Sequence, residues 1–159
     1  MNYLKEARTQ CPDHVGTRNT FPCILVVEDD RFVADMLEAA FRTWGYDVRV
    51  ARNGQEGLDI VATQSVDGIL LDMHMPIMNG RTMLDELRWK GHDLPVLVMS
   101  GSSDVRDLRQ LLREGAQGFI VKPFQLHYLQ KAFSQILLSS EVSGKNYHSH
   151  GLSNQEFDA

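Results

Sequence analysis

Five times along the chain, a short apolar run is followed by a stretch with apolar residues at helical spacing. No other feature restricts the fold as much. Ile24-Leu25-Val26-Val27, Ile69-Leu70-Leu71 and Val96-Leu97-Val98-Met99 are continuous, the pattern of strands covered on both faces. Tyr46–Ala51 alternates, with Val48 and Val50 on one side, and reads as an edge strand; Phe119-Ile120-Val121 is the fifth run. The first helical stripe is Phe32, Val33, Met36, Leu37, Ala40, Phe41 and Trp44, stopped at Gly45. Leu58, Val61 and Ala62 mark the second helix, and Met83, Leu84 and Leu87 the third. Val105, Leu108, Leu111 and Leu112 precede Gly115 in the fourth, and Leu126, Leu129, Phe133, Ile136 and Leu137 stripe the fifth. Period alone assigns Phe32 and Met36 to the core. Strands alternating with helices imply a doubly wound, five-stranded parallel sheet with helices on both faces, because right-handed crossovers cover a sheet that way.

Both ends lack this pattern. Residues 1–21 are expected to form a flexible N-terminal extension, 22–139 the folded domain, and 140–159 a polar C-terminal tail. The 159 residues, 43% apolar and 23% charged, suit one globular domain and not a disordered chain. No apolar run is long enough to span a bilayer, and no charged start leads into an apolar cleavable leader. Cys11 and Cys23, without a CxxC, read as two reduced thiols, so a cytoplasmic location is expected. A net charge of −5 argues against direct nucleic-acid binding by bulk charge.

In open parallel sheets, ligands bind outside the carboxyl ends of the strands. Glu28-Asp29-Asp30 follow the first strand, Asp72 the third, Ser100 the fourth and Lys122 the fifth. The second ends in Ala51-Arg52 and offers nothing similar. Asp30 suits a helix N-cap. Bare, Glu28, Asp29 and Asp72 would repel one another, which shifted pKa values or a bound cation must resolve. Hard oxygen donors in a small hydrated site favour Mg²⁺, with Mn²⁺ as a substitute. Other phosphate chemistries fit poorly. The acidic triplet stands where a Rossmann turn needs glycines and where an FMN phosphate loop needs hydroxyls and amides, and no Gx4GK[ST] exists. A phosphatase acting on small phosphoesters in the haloacid-dehalogenase manner needs a second Asp two residues after Asp72, where His74 stands.

ILVVEDD (24–30), LLDMHMPIMNG (70–80), VLVMSG (96–101) and GFIVKPF (118–124) together resemble the receiver domain of two-component response regulators. The resemblance covers about residues 22–139. It implies a flavodoxin-like sheet of order 2-1-3-4-5 and a two-component or phosphorelay role, with Asp72 the phospho-acceptor from a histidine kinase or histidine phosphotransfer protein. It implies that Glu28, Asp29 and Asp72, with the backbone carbonyl of His74, hold Mg²⁺. Lys122 and Ser100 would contact the phosphoryl group, and Phe119 would be the switch aromatic that turns inward with Ser100. No catalysis beyond the domain's own phosphorylation and dephosphorylation is implied. The first helix (Phe32, Val33, Met36) and the Pro123-Phe124 loop would meet the phosphodonor, and phosphorylation would control binding of a downstream protein.

Some positions depart from the commonest pattern. The acidic pair is Glu-Asp, Phe119 replaces Tyr, and His74 and Ser102 occupy positions that tune phospho-Asp hydrolysis in this family. Receivers of winged-helix regulators pair an acidic residue opening the fifth strand with an Arg of the last helix. Here Gln117 and Ala132 stand there, so a monomer or a weak phosphorylation-dependent dimer is expected. The chain could stand alone or be the N-terminal receiver of a transcription factor or hybrid histidine kinase. His148 and His150 read as solvated, Arg106, Arg109 and Arg113 as a solvated helix face, and Met73, Met75 and Met78 as packing.

Overall fold

The computed structural model describes residues 21–145. Its strands are β1 (Cys23–Val27), β2 (Asp47–Ala51), β3 (Gly68–Asp72), β4 (Val96–Ser100) and β5 (Gly118–Val121). The helices between and after them are α1 (Arg31–Thr43), α2 (Gly54–Thr63), α3 (Gly80–Trp89), α4 (Val105–Arg113) and α5 (Leu126–Lys145). All strand pairings are parallel, in the expected order β2-β1-β3-β4-β5.

Because successive strand side chains point to opposite faces, the continuous runs feed two cores. Leu25, Val27, Ile69, Leu71, Val96 and Val98 pack with Leu58 of α2, Met83, Leu84 and Leu87 of α3, and Leu108 and Leu111 of α4. Ile24, Val26, Leu70, Leu97 and Met99 pack with Leu37 and Phe41 of α1 and Leu129, Phe133 and Ile136 of α5. Phe41 is the aromatic centre of the second core, edge-on to Trp44, Tyr46 and Phe133 at centroid distances of 5.0, 5.6 and 4.9 Å. Gly45, at φ +88°, supplies the left-handed turn that takes the chain from α1 into β2.

Two expectations need correction. Phe32 is 86% exposed and Met36 is also exposed; the stripe of α1 that reaches the sheet is Ala34, Leu37 and Phe41. Phe32 lies in the first turn, at the sheet's carboxyl rim, where helical period continues but no core remains opposite it. Similarly, α5 does not stop at residue 139 but continues to Lys145. The apolar period fades there, while the Ser139 and Ser140 hydroxyls donate to the Gln135 and Leu137 carbonyls within the helix. Cys11, His148, His150 and most of both expected tails lie outside the described residues. Met73, Met75 and Met78 do pack against the first core. Among the described residues, no helix is long and apolar enough to cross a membrane.

Candidate functional site

The parallel order brings the ends of β1, β3, β4 and β5 to one rim. Glu28 follows β1 directly, and its amide extends the ladder to Ala51 O. Asp30 then caps α1, its carboxylate accepting from the Phe32 and Val33 amides at 2.8 and 3.1 Å. Glu28 and Asp29 are therefore confined to a tight strand-to-helix turn. Asp72 closes β3 and Ser100 closes β4, while the Lys122 amide bonds to Ser100 O at 2.8 Å just past β5.

Glu28 and Asp72 are 2% and 4% exposed, and Asp29 is exposed at the mouth. Carboxylate oxygens of the three lie within 4.8 Å of one another. The Lys122 ammonium bridges the buried pair, 2.8 Å from Asp72 Oδ1 and 2.9 Å from Glu28 Oε2. Backbone donors reach the other oxygens: the His74 amide to Asp72 Oδ2 and the Asp30 amide to Glu28 Oε1, both at 3.2 Å. Burial pushes the Glu28 carboxyl above its usual range, and the nearby Asp72 charge adds to this, while the Lys122 hydrogen bond opposes it. For Lys122, burial pulls the ammonium down, yet the hydrogen bonds and charges of Asp72 and Glu28 override it and hold it above the ordinary lysine value. Among the described residues, one ammonium thus bridges two of the three grouped acids.

The loop after Asp72 brings the start of α3 directly against the end of β3. A Cβ on Gly80 would stand 2.2 Å from Asp72 O, so only glycine fits at the start of α3. Between them the Met78 amide bonds to Pro76 O at 2.8 Å, a γ-turn with Ile77 at φ +69°. Positive φ in a β-branched residue costs about 1–3 kcal/mol. The loop holds it in place through the bonds Gly54 N to Met78 O, at 2.9 Å, and Gly80 N to Met73 O, at 3.2 Å.

Ser100 is buried and its hydroxyl accepts from the Ser102 amide at 3.1 Å. Phe119, paired with Val98 across β4 and β5, is 36% exposed, so its ring is at the surface. Arg52 lies 3.8 Å from Asp35 of α1, and the end of β2 adds nothing to the acidic cluster that the structure records. Sequence reading did not foresee the Ser102 hydroxyl bonds to Asp104 and Asp107, since a serine before a helix carries no periodic signal.

The profile of the response regulator receiver domain family matches residues 24–134. The chain belongs to this family. It is a receiver domain of two-component response regulators. The response regulator MprA of Mycobacterium tuberculosis is 39% identical over 106 residues, covering 67% of this chain and 46% of its own length. The protein of that name from Mycolicibacterium vanbaalenii matches to the same extent. This receiver chain thus spans about half the length of the curated relatives it matches. Among solved structures, a Francisella response regulator receiver domain superposes with a TM-score of 0.72 at 28% identity, covering 75% of this chain and 98% of that one. A putative response regulator from Chloroflexus aurantiacus gives 0.70 at 30%, covering 75% and 99%.

Receiver domains bind Mg²⁺ at an acidic pocket, and the donor set here suits such an ion. Three carboxylates supply hard oxygens in a compact group open to water through Asp29, and the pair Glu28 and Asp72 shares a single ammonium.

Proposed function

We propose that Asp72 accepts a phosphoryl group from the phosphohistidine of a histidine kinase or histidine phosphotransfer protein, and that the domain then changes conformation to control a downstream protein contact. The observation that carries this reading is the buried Asp72 carboxylate, 2.8 Å from Lys122 and grouped with two more acids at one sheet rim. An Asp72 oxygen attacks phosphorus, the bond from phosphorus to the imidazole nitrogen breaks, and an acyl phosphate forms. Such transfer needs positioning and charge neutralisation more than covalent help.

Glu28, Asp29 and Asp72, with the His74 carbonyl, would hold Mg²⁺ or Mn²⁺, which supplies positive charge to the phosphoryl oxygens. Lys122 moves from Asp72 Oδ1 to a phosphoryl oxygen, and the Ser100 hydroxyl donates to another. The product adds about −1.5 to −2 charge and three acceptors at this rim. A conformer that meets those acceptors better is favoured in proportion to the extra contacts, and in it Phe119 turns inward. Phe32 and Met36 are exposed on α1 and so available to the phosphodonor. The chemistry is confined to the domain's own phosphorylation and dephosphorylation, in the cytoplasm.

Intact mass after incubation with Mg²⁺ and acetyl phosphate tests the reading. One phosphoryl group is expected on the wild type and none on Asp72→Asn; normal uptake by Asp72→Asn refutes the assignment. A second reading, the receiver portion of a longer transcription factor or hybrid histidine kinase, is favoured by the relatives' extent, of which this chain spans 46%. In either case residues 22–139, with the helical extension to Lys145, form the signalling module.

A further inference from the structure

The loop between Asp72 and α3 carries three methionines, Met73, Met75 and Met78, all half-buried against the first core. Met78 also ties this loop to α2. Its carbonyl accepts from the Gly54 amide at 2.9 Å. Its thioether lies so close to Gly54 that a Cβ there would stand 3.0 Å from Sδ and 2.8 Å from Cγ. An oxygen added to the sulfur on its Gly54 side has no room, and on any side it turns an apolar contact into a polar one. Met83 meets Gly57 in the same manner, its Sδ 3.0 Å from the place of that Cβ, but Met83 and Met99 are fully buried. Met36 is 45% exposed, on α1 and not on this loop. Burial thus separates a reachable sulfur beside the acceptor from two that are sealed.

We propose that Met78 is a modification site, oxidised to the sulfoxide by hydroperoxides, and that the sulfoxide slows phosphoryl transfer to Asp72. The effect on transfer rests on the phospho-acceptor reading of Asp72. The sulfur gives a lone pair to one peroxide oxygen: an S–O bond forms, the O–O bond breaks, and with hydrogen peroxide the other oxygen leaves as water. Sulfur loses two electrons and the peroxide gains them. Met78 is a positioning residue, because it acts through the loop. Its neighbour Ile77, at φ +69°, is 86% exposed, so the strained turn depends on the bonds from the Gly54 and Gly80 amides more than on packing. Once the Gly54 contact opens, the turn relaxes, and the His74 amide that donates to Asp72 Oδ2 at 3.2 Å shifts with it. Peroxide thereby damps the response of this domain to its phosphodonor.

To test this, the full chain is treated with hydrogen peroxide, freed of it, and reduced with dithiothreitol, which reverses thiol oxidation to disulfides and leaves sulfoxides. Peptide mass mapping then reads each methionine, and time-resolved intact mass with Mg²⁺ and acetyl phosphate reads phosphoryl uptake. Met78 is expected to gain one oxygen while Met83 and Met99 stay reduced. Uptake should slow by about three-fold or more, the worth of one hydrogen bond, and methionine sulfoxide reductase should restore it. Met78→Leu keeps an apolar side chain at Gly54, and peroxide should change its rate by less than about two-fold. Met78→Gln, polar and of similar length, should be slow without peroxide. Met36→Leu should remain as sensitive to peroxide as the wild type. Equal slowing of Met78→Leu, a Met78 that stays reduced, or a Met78 sulfoxide with an unchanged rate overturns the proposal alone. An untreated wild type that takes up no phosphoryl group overturns the acceptor reading and the effect on transfer with it, so the untreated sample tells the two failures apart.

Discussion

Lys122, just past β5, places its ammonium 2.8 Å from Oδ1 of Asp72, the last residue of β3. The two meet only because β4 separates their strands by a single place in the sheet. Removing the ammonium leaves two buried carboxylates facing each other. Lys122→Met is therefore expected to slow phosphoryl uptake by about two orders of magnitude, the scale of losing one charge-stabilising donor. Time-resolved intact mass with Mg²⁺ and acetyl phosphate measures this, and a wild-type rate in the variant removes Lys122 from the mechanism.

The same pair sets a pH dependence. The Lys122 ammonium is held above its unfolded value, so its contribution to stability is complete below that value, about 10.4. It is lost as pH rises through the folded value. Metal-free wild type should thus be more stable than Lys122→Met at neutral pH, and the gap should narrow steadily above about pH 10. Urea unfolding of both proteins at several alkaline pH values reads the gap; a constant difference contradicts the ion-pair assignment.

Glu28 has the opposite consequence at neutral pH. Its folded value is raised, chiefly by burial, so stability is highest below the unfolded value, about 4.3, and falls as pH rises through the folded one. Ionised, the buried side chain is a cost that a cation relieves. Without metal, Glu28→Gln should unfold at a temperature about 1–4 °C above the wild type, and this advantage should vanish in acid. Calorimetric titration should show Mg²⁺ bound about ten-fold more weakly by the variant, since one of three carboxylate ligands is gone. Equal Mg²⁺ affinity would remove Glu28 from the metal site.

Gly80 is constrained by contact. A methyl group there would collide with the Asp72 carbonyl, which is backbone and cannot swing away. Gly80→Ala is expected to cost about 2–4 kcal/mol in denaturant unfolding and to lower phosphoryl uptake by displacing Asp72. A variant with wild-type stability would show that the start of α3 can shift freely.

Far from this rim, the Arg88 guanidinium of α3 donates to the carbonyls of Gly115, His92 and Leu94 and to Gln117 Oε1. Gln117 Oε1 also accepts from the Val96 amide at 2.7 Å. The side chain that replaces the acidic partner of the winged-helix dimers is thus turned into its own domain. Arg88→Ala should cost about 2–4 kcal/mol, several carbonyls losing their donor at once. Phosphoryl uptake per folded molecule should be unchanged, which urea titration and intact mass together decide.

Much of this architecture was legible because its signals are local. Ile69-Leu70-Leu71 must be covered on both faces wherever it folds, and Asp72 at its end must then lie on the carboxyl rim. Glu28, Ser100 and Lys122 follow by the same logic, and the structure does bring them together. Phe32 escaped this logic, because helical period says which way a side chain faces and not whether the sheet extends beneath it. The Arg88–Gln117 contact spans 29 residues and joins two unremarkable polar side chains, so no pattern announces it. The Ser102–Asp107 bond is equally silent, being a matter of loop conformation.

The Arg88 clasp at the amino ends of β4 and β5 and the acidic cluster at the carboxyl end of β3 occupy opposite poles of one sheet. Two kinds of work are thereby spatially divorced. Substitutions at one pole should change how much folded protein exists, and those at the other what that protein does when a phosphoryl group arrives. A selection scored separately for abundance and for signalling would divide the chain along the strand axis, with Gly80, Lys122 and Glu28 at the acidic rim answering to both.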